Sequence, residues 1–123
     1  MPRALTLALV LLALLIVTLD ADAARNGKRQ LWGAIAYDSK AGTYGYAVDR
    51  KTKRDAESDA FANCAPHCDL IKTFRDACGA VAAGAKRVAY ESGASREIAE
   101  TKAMKKCGGE ACTIKVWACT SEK

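Results

Sequence analysis

From Leu31 onward the chain sets short runs of alternating apolar and polar residues between turn-forming residues, and the same order of runs occurs twice. The match is clearest at two helical segments, where Ala56-Glu57-x-x-Ala60-x-x-x-Cys64 recurs forty-three positions later as Ala99-Glu100-x-x-Ala103-x-x-x-Cys107. Ahead of each stands a strand-like segment, Gly33-Ala34-Ile35-Ala36 and then Gly79-Ala80-Val81-Ala82. Behind each lies another cysteine and a β-type run ending in a third, Cys68 to Cys78 and then Cys112 to Cys119.

Each unit reads as hairpin, helix, strand. In the first, Leu31 to Tyr37 and Thr43 to Val48 are the expected strands, joined by Asp38-Ser39-Lys40-Ala41-Gly42, a set of residues suited to a turn. A helix follows, with Thr52 and Asp55 able to cap its N-terminus and its end expected near Cys64. In the second unit the strands are Cys78 to Ala83 and Arg87 to Glu91, with Gly84 at the turn. Ser95 caps a helix running to about Lys106, and Gly108 and Gly109 stop it. Alanines and cysteines four apart place a stripe of small side chains on one face of each helix, which permits close approach to a sheet. The third strands, Asp69 to Ala77 and Thr113 to Ala118, point Leu70, Phe74, Ile114 and Val116 inward, with Trp32 and Trp117 partly buried. The expected fold is therefore α+β: two pseudo-symmetric β-β-α-β repeats, 31–77 and 78–120, forming a mostly antiparallel sheet with two helices on one face.

The N-terminus changes the setting of this domain. Met1-Pro2-Arg3, an apolar run from Ala4 to Leu19 and then Asp20-Ala21-Asp22-Ala23-Ala24 follow the order of a secretory signal, with cleavage expected before Ala24. This sixteen-residue run falls short of the roughly 20 that a spanning helix needs. Residues 24–30 read as a polar, flexible lead-in. Losing residues 1–23 removes one basic and two acidic side chains and moves the formal charge from +5 to +6. The basic residues come in scattered pairs interleaved with acids, such as Lys53-Arg54 and Lys105-Lys106, which fits a solvated surface better than a nucleic-acid or other polyanion site.

About a hundred residues support one domain with a small core, and all six cysteines lie within it. An even number in a short exported chain reads as a disulfide framework in an oxidising compartment, periplasmic or extracellular, with fifteen formal pairings. Zinc is the competing use, with His67 near Cys64 and Cys68. The spacings Cys64-x-x-x-Cys68 and Cys107-x-x-x-x-Cys112 only loosely resemble metal knuckles, and no Cys-x-x-Cys redox motif occurs. No metal site and no cofactor is expected.

Taken together, Trp32-Gly33-Ala34-Ile35-Ala36, the Tyr44-Gly45-Tyr46 strand, the two Ala-Glu-x-x-Ala-x-x-x-Cys helices and the paired cysteine runs resemble the domain of unknown function 4189 family. The resemblance spans Leu31 to Cys119 and implies a small exported protein of a mostly bacterial family. It implies no activity and carries no ligand or catalytic residue onto this chain. Assigning three cysteines to each repeat requires at least one bridge between the halves if all are oxidised. Symmetry favours Cys64–Cys68 and Cys107–Cys112 as local bridges, with Cys78 and Cys119, each ending a third strand, pairing across the repeats.

Candidate chemistry is sparse. His67, the single histidine, sits in a tight loop beside a cysteine and has no nameable acid–base partner. Asp38, Asp49, Asp55 and Asp59 read as turn, cap and solvated-face residues, without the spacing of a calcium loop. Tyr37, Tyr44 and Tyr46 near Trp32, with Arg50 and Lys51 beside them, form the candidate ligand surface, an aromatic platform flanked by positive charge. The sequence thus points to a non-enzymatic binding module, inhibitor-like or immunity-like, whose partner is a protein or a cell-envelope component. The alternative is a small extracytoplasmic hydrolase or toxin-like effector built on His67 or a carboxylate.

Overall fold

The computed structural model describes residues 30–64 and 66–121. The expected signal segment, and the lead-in up to residue 29, lie outside the described residues. The first repeat contains β1 (Trp32–Tyr37), β2 (Tyr44–Arg50), the helix α1 (Lys53–Cys64) and β3 (Leu70–Arg75). The second contains β4 (Cys78–Ala83), β5 (Val88–Gly93), α2 (Arg96–Cys107), a short 3₁₀ turn (Gly109–Ala111) and β6 (Thr113–Cys119). The hydroxyl caps are formed: Thr52 Oγ1 accepts from the Asp55 N–H at 3.1 Å, and Ser95 Oγ accepts from the Ile98 N–H at 3.2 Å. Gly108 ends α2 in the left-handed region at φ 119°, and its N–H donates to the Met104 carbonyl.

The strands form two three-stranded antiparallel sheets, ordered β2-β1-β3 and β5-β4-β6, where one mostly antiparallel sheet was expected. The reason lies in the two central strands, which are buried on both faces. On β1, Ala34 and Ala36 pack under α1 with Ala56, Ala60 and Cys64, while Ile35 and Tyr37 turn the other way. On β4, Ala80 and Ala82 pack under α2 with Ala99, Ala103 and Cys107, while Val81 and Ala83 turn the other way. The larger side chains of both strands meet Phe74, Val116 and Ala118 in a shared layer between the sheets. The order of layers is therefore helix, sheet, sheet, helix. Each helix covers one face of its own sheet, so the two lie on opposite sides of the molecule and not together on one face.

Close approach sets the glycines. A Cβ on Gly33 would lie 2.3 Å from the Phe74 ring and one on Gly79 would lie 2.7 Å from it, so the ring fills the space left by both. Outside this layer, the Tyr90 hydroxyl donates to the Thr73 carbonyl at 3.0 Å, from β5 to β3. On the opposite flank the Asp49 carboxylate accepts from the Ser121 N–H at 2.7 Å and from its hydroxyl at 2.5 Å.

All six cysteines are paired, as Cys64–Cys68, Cys78–Cys119 and Cys107–Cys112. The pairing is the one symmetry favoured, but its topology differs. Cys78 does not end a third strand: β3 stops at Arg75, and Cys78 opens β4 directly opposite Cys119 of β6. The first repeat thus holds two cysteines and the second holds four. No disulfide joins the halves, and the sheets are held together by the Phe74 layer and the hydrogen bonds that flank it.

Candidate functional site

The expected aromatic platform divides between the two faces of the first sheet. Tyr37 is only 3 % exposed and packs between the sheets, where burial, reinforced by the Asp38 and Asp69 carboxylates, pushes its phenol above the ordinary range. Trp32 lies on the helix side of β1, with the Arg75 guanidinium 5.6 Å from its ring centroid. Arg50 turns toward α1, donating to Asp59 at 2.6 Å and to the Val48 carbonyl at 2.7 Å. Its charge is thereby committed. Lys51 is exposed beyond the end of β2.

What remains is Tyr44 and Tyr46, on one face of β2 and 48 % and 49 % exposed. With Val48 they form one wall of a groove of about 420 Å³ whose other wall is the Lys115–Cys119 stretch of β6. Lys115 is exposed and makes no ion pair among the described residues. The sequence reading missed Lys115 and placed Trp117 as partly buried. A register shift between the partners of Val81 and Ala82 sets Lys115 out of the ladder and puts Ile114 and Val116 on opposite faces, Ile114 toward α2 and Val116 toward the other sheet. Trp117, in regular register opposite Ala80, lies on the α2 side of the sheet at 40 % exposure, with the Arg96 guanidinium 3.8 Å from its ring centroid. The signal for this site was the adjacency of Lys115 and Trp117 to a strand whose break in alternation cannot be located from spacing alone.

The other candidates have structural roles. Asp38 is buried in the β1–β2 turn, its carboxylate accepting from the N–H groups of Lys40 and Ala41, both at 2.9 Å. Asp49 holds Ser121, and those bonds draw its carboxyl below the ordinary range. Asp55 sits in the first turn of α1, and Asp59 pairs with Arg50. His67 is exposed beside the Cys64–Cys68 bridge and lines an open hollow with Phe61, Lys40 and Asp69. The nearby Asp69 is taken up by Ser39, whose N–H and hydroxyl both donate to it, and among the described residues no hydrogen-bonded acid–base pair involves His67. Among the described residues no group of three or more His, Cys, Asp or Glu side chains could hold a metal ion. No helix among them is long and apolar enough to cross a membrane.

The described chain is thus a disulfide-stapled α+β sandwich of two β-β-α-β repeats, with one aromatic and basic groove between its sheets. The family model described as "Domain of unknown function (DUF4189)" matches residues 32–119, and the chain belongs to that family. Among its relatives, Protein Rv1269c of Mycobacterium tuberculosis is 37 % identical over 92 residues, covering 72 % of this chain and 69 % of the relative. Protein Mb1300c of Mycobacterium bovis matches with the same identity and coverage. The NMR structure of Rv1813c from Mycobacterium tuberculosis superposes with a TM-score of 0.61 at 33 % identity, covering 72 % of this chain and 74 % of that one.

Proposed function

We propose that this protein is an exported, non-enzymatic binding module that engages a protein or cell-envelope component through the groove between β2 and β6. The observation that carries the reading is the placement of Tyr44 and Tyr46, two half-exposed phenols side by side over a groove whose far wall holds Lys115. Tyrosine brings large contact area with few torsions to freeze, and its hydroxyl satisfies polar groups as they leave water, which is why it is common in recognition surfaces. The carboxylates of Asp38, Asp49 and Asp59 are occupied in a turn, on Ser121 and in an ion pair, which favours recognition over hydrolysis. Three disulfides agree with an oxidising compartment, periplasmic or extracellular, as does the signal-like N-terminus.

The test is retention on immobilised protein of components from an envelope or culture fraction, run in parallel with wild type and a Tyr44→Ser, Tyr46→Ser double variant. A component retained by wild type and lost from the variant is the expected result. Retention unaffected by the double change, or traced to His67→Ala instead, would move the site elsewhere.

A further inference from the structure

Among the four strand edges of the two sheets, three have an outward backbone carbonyl tied down by a side chain. On β2 the Tyr46 carbonyl accepts from Asn63 of α1 at 3.1 Å, and on β5 the Ser92 carbonyl accepts from Lys102 of α2 at 2.9 Å. On β3 the Thr73 carbonyl accepts from the Tyr90 hydroxyl. Such covers keep edge strands from pairing with other chains. The fourth edge, β6, is open. The Thr120 N–H donates to the Ala77 carbonyl, which fixes the alternation of bonded pairs along β4 and β6. It follows that the N–H and C=O groups of Trp117 and Cys119 point away from β4, and none of the hydrogen bonds among the described residues uses them.

The repeat makes the omission specific. Tyr46 lies opposite Ile35, and Tyr90 lies opposite Val81, the residue corresponding to Ile35 in the second repeat. Thr73 lies opposite Ala34, and Trp117 lies opposite Ala80, which corresponds to Ala34. By symmetry Tyr46 should therefore close on the Trp117 carbonyl as Tyr90 closes on that of Thr73. It does not: Tyr46 is 49 % exposed and lines the groove beside the open edge.

We infer that the outer edge of β6 receives an extended, acidic peptide segment of a partner protein as a fourth strand of the second sheet, with Tyr44 and Tyr46 packing along it. This rests on the groove being the binding face. Backbone pairing would come from Trp117 and Cys119, and charge selection from Lys115. A second copy of this chain is the poorer occupant, since each copy would bring Lys115 and a net positive charge to the same edge, and a lysine on an edge strand opposes self-pairing.

The probes are two end-blocked heptapeptides of alternating valine and threonine, one with glutamate and one with lysine at the centre, titrated into the oxidised protein and followed by amide NMR. The glutamate peptide should shift the Trp117 and Cys119 amides and slow their hydrogen exchange, and bind roughly fivefold more tightly than the lysine peptide. Lys115→Glu, an exposed change that leaves the fold intact, should reverse that order. Shifts confined to the Tyr44 and Tyr46 amides, with unchanged exchange at Trp117 and Cys119, would refute strand addition while leaving the groove as a binding face. No response to either peptide would refute strand addition and leave the capture experiment to decide the groove. Protection of the two amides that rises with protein concentration alone would mean that a second copy fills the edge, which also overturns the proposal.

Discussion

Replacing Cys78 and Cys119 together by alanine opens the longest covalent loop of the domain, between residues 41 apart in sequence. The chain-entropy relation makes closure of such a loop worth roughly 4 kcal/mol, whereas the Cys64–Cys68 bridge, with its residues 4 apart, is worth roughly 2 kcal/mol. These two pairs bear comparison because each contains one buried sulfur, Cys78 and Cys64, both 6 % exposed, so the packing lost with the thiols is similar. In a domain of this size 1 kcal/mol moves the melting temperature by roughly 4–8 °C, so the expected losses are roughly 16–32 °C for the long loop and 8–16 °C for the short one. Thermal scans of the two double variants by circular dichroism, with alkylation and mass spectrometry showing the other bridges oxidised, measure both. Equal losses, or a loss under about 1 kcal/mol for the Cys78, Cys119 variant, would refute the argument that this bridge acts by shortening the unfolded chain.

Two further perturbations follow from the geometry. Gly45→Ala would place a Cβ 2.6 Å from the Ala60 carbonyl oxygen and the backbone at Asn63 and Cys64, forcing α1 off its sheet; a loss of about 3 kcal/mol in denaturant unfolding is expected, and a neutral result would mean that the helix can ride higher than its alanine stripe implies. The Asp49 carboxyl is drawn down chiefly by the Ser121 hydroxyl and N–H, so its contribution is present above the ordinary carboxylate pKa of about 4 and is lost as pH falls through the lowered folded value. Wild type should therefore exceed Asp49→Asn in stability near neutrality and converge with it in acid, as read by melting temperature against pH; a constant difference would contradict the assignment.

Much of the fold was legible because its devices are local. The alanine and cysteine stripes of α1 and α2, the caps at Thr52 and Ser95, and the glycines that end α2 each act within one turn of chain, and all stand where spacing put them. The division into two sheets was not legible. Ala34 and Ile35, like Ala80 and Val81, are all apolar, so a central strand sandwiched between a helix and a second sheet shows no polar face, only a small–large alternation. The bridge pairing was readable from symmetry and the start of β4 at Cys78 from the strand pattern, while the end of β3 at Arg75 depended on Asp76, whose positive φ of 47° stops the strand short of Ala77.

The candidate site was half legible for the same reason. Tyr44 and Tyr46 share a face by simple alternation and remain together. Trp32 is at the other end of β1, opposite Arg50, where Asp49 at φ 60° adds a residue to β2 and turns Arg50 toward α1. Tyr37 is nearer in sequence but lies on the central strand, and the second sheet covers it. Lys115 enters the groove through the register shift in β6, a long-range feature set by pairing with β4.

Equivalent tyrosines of the two repeats differ in one respect: Tyr90 closes one flank of the sandwich, and Tyr46 leaves the other open. Unfolding of Tyr90→Phe and Tyr46→Phe in denaturant tests it directly. Loss of the Tyr90 hydroxyl strips the Thr73 carbonyl of its partner and should cost about 1 kcal/mol, while loss of the Tyr46 hydroxyl should leave stability within about 0.5 kcal/mol of wild type. Equal losses in the two variants would show that Tyr46 also latches its flank in solution, and would contradict an open groove.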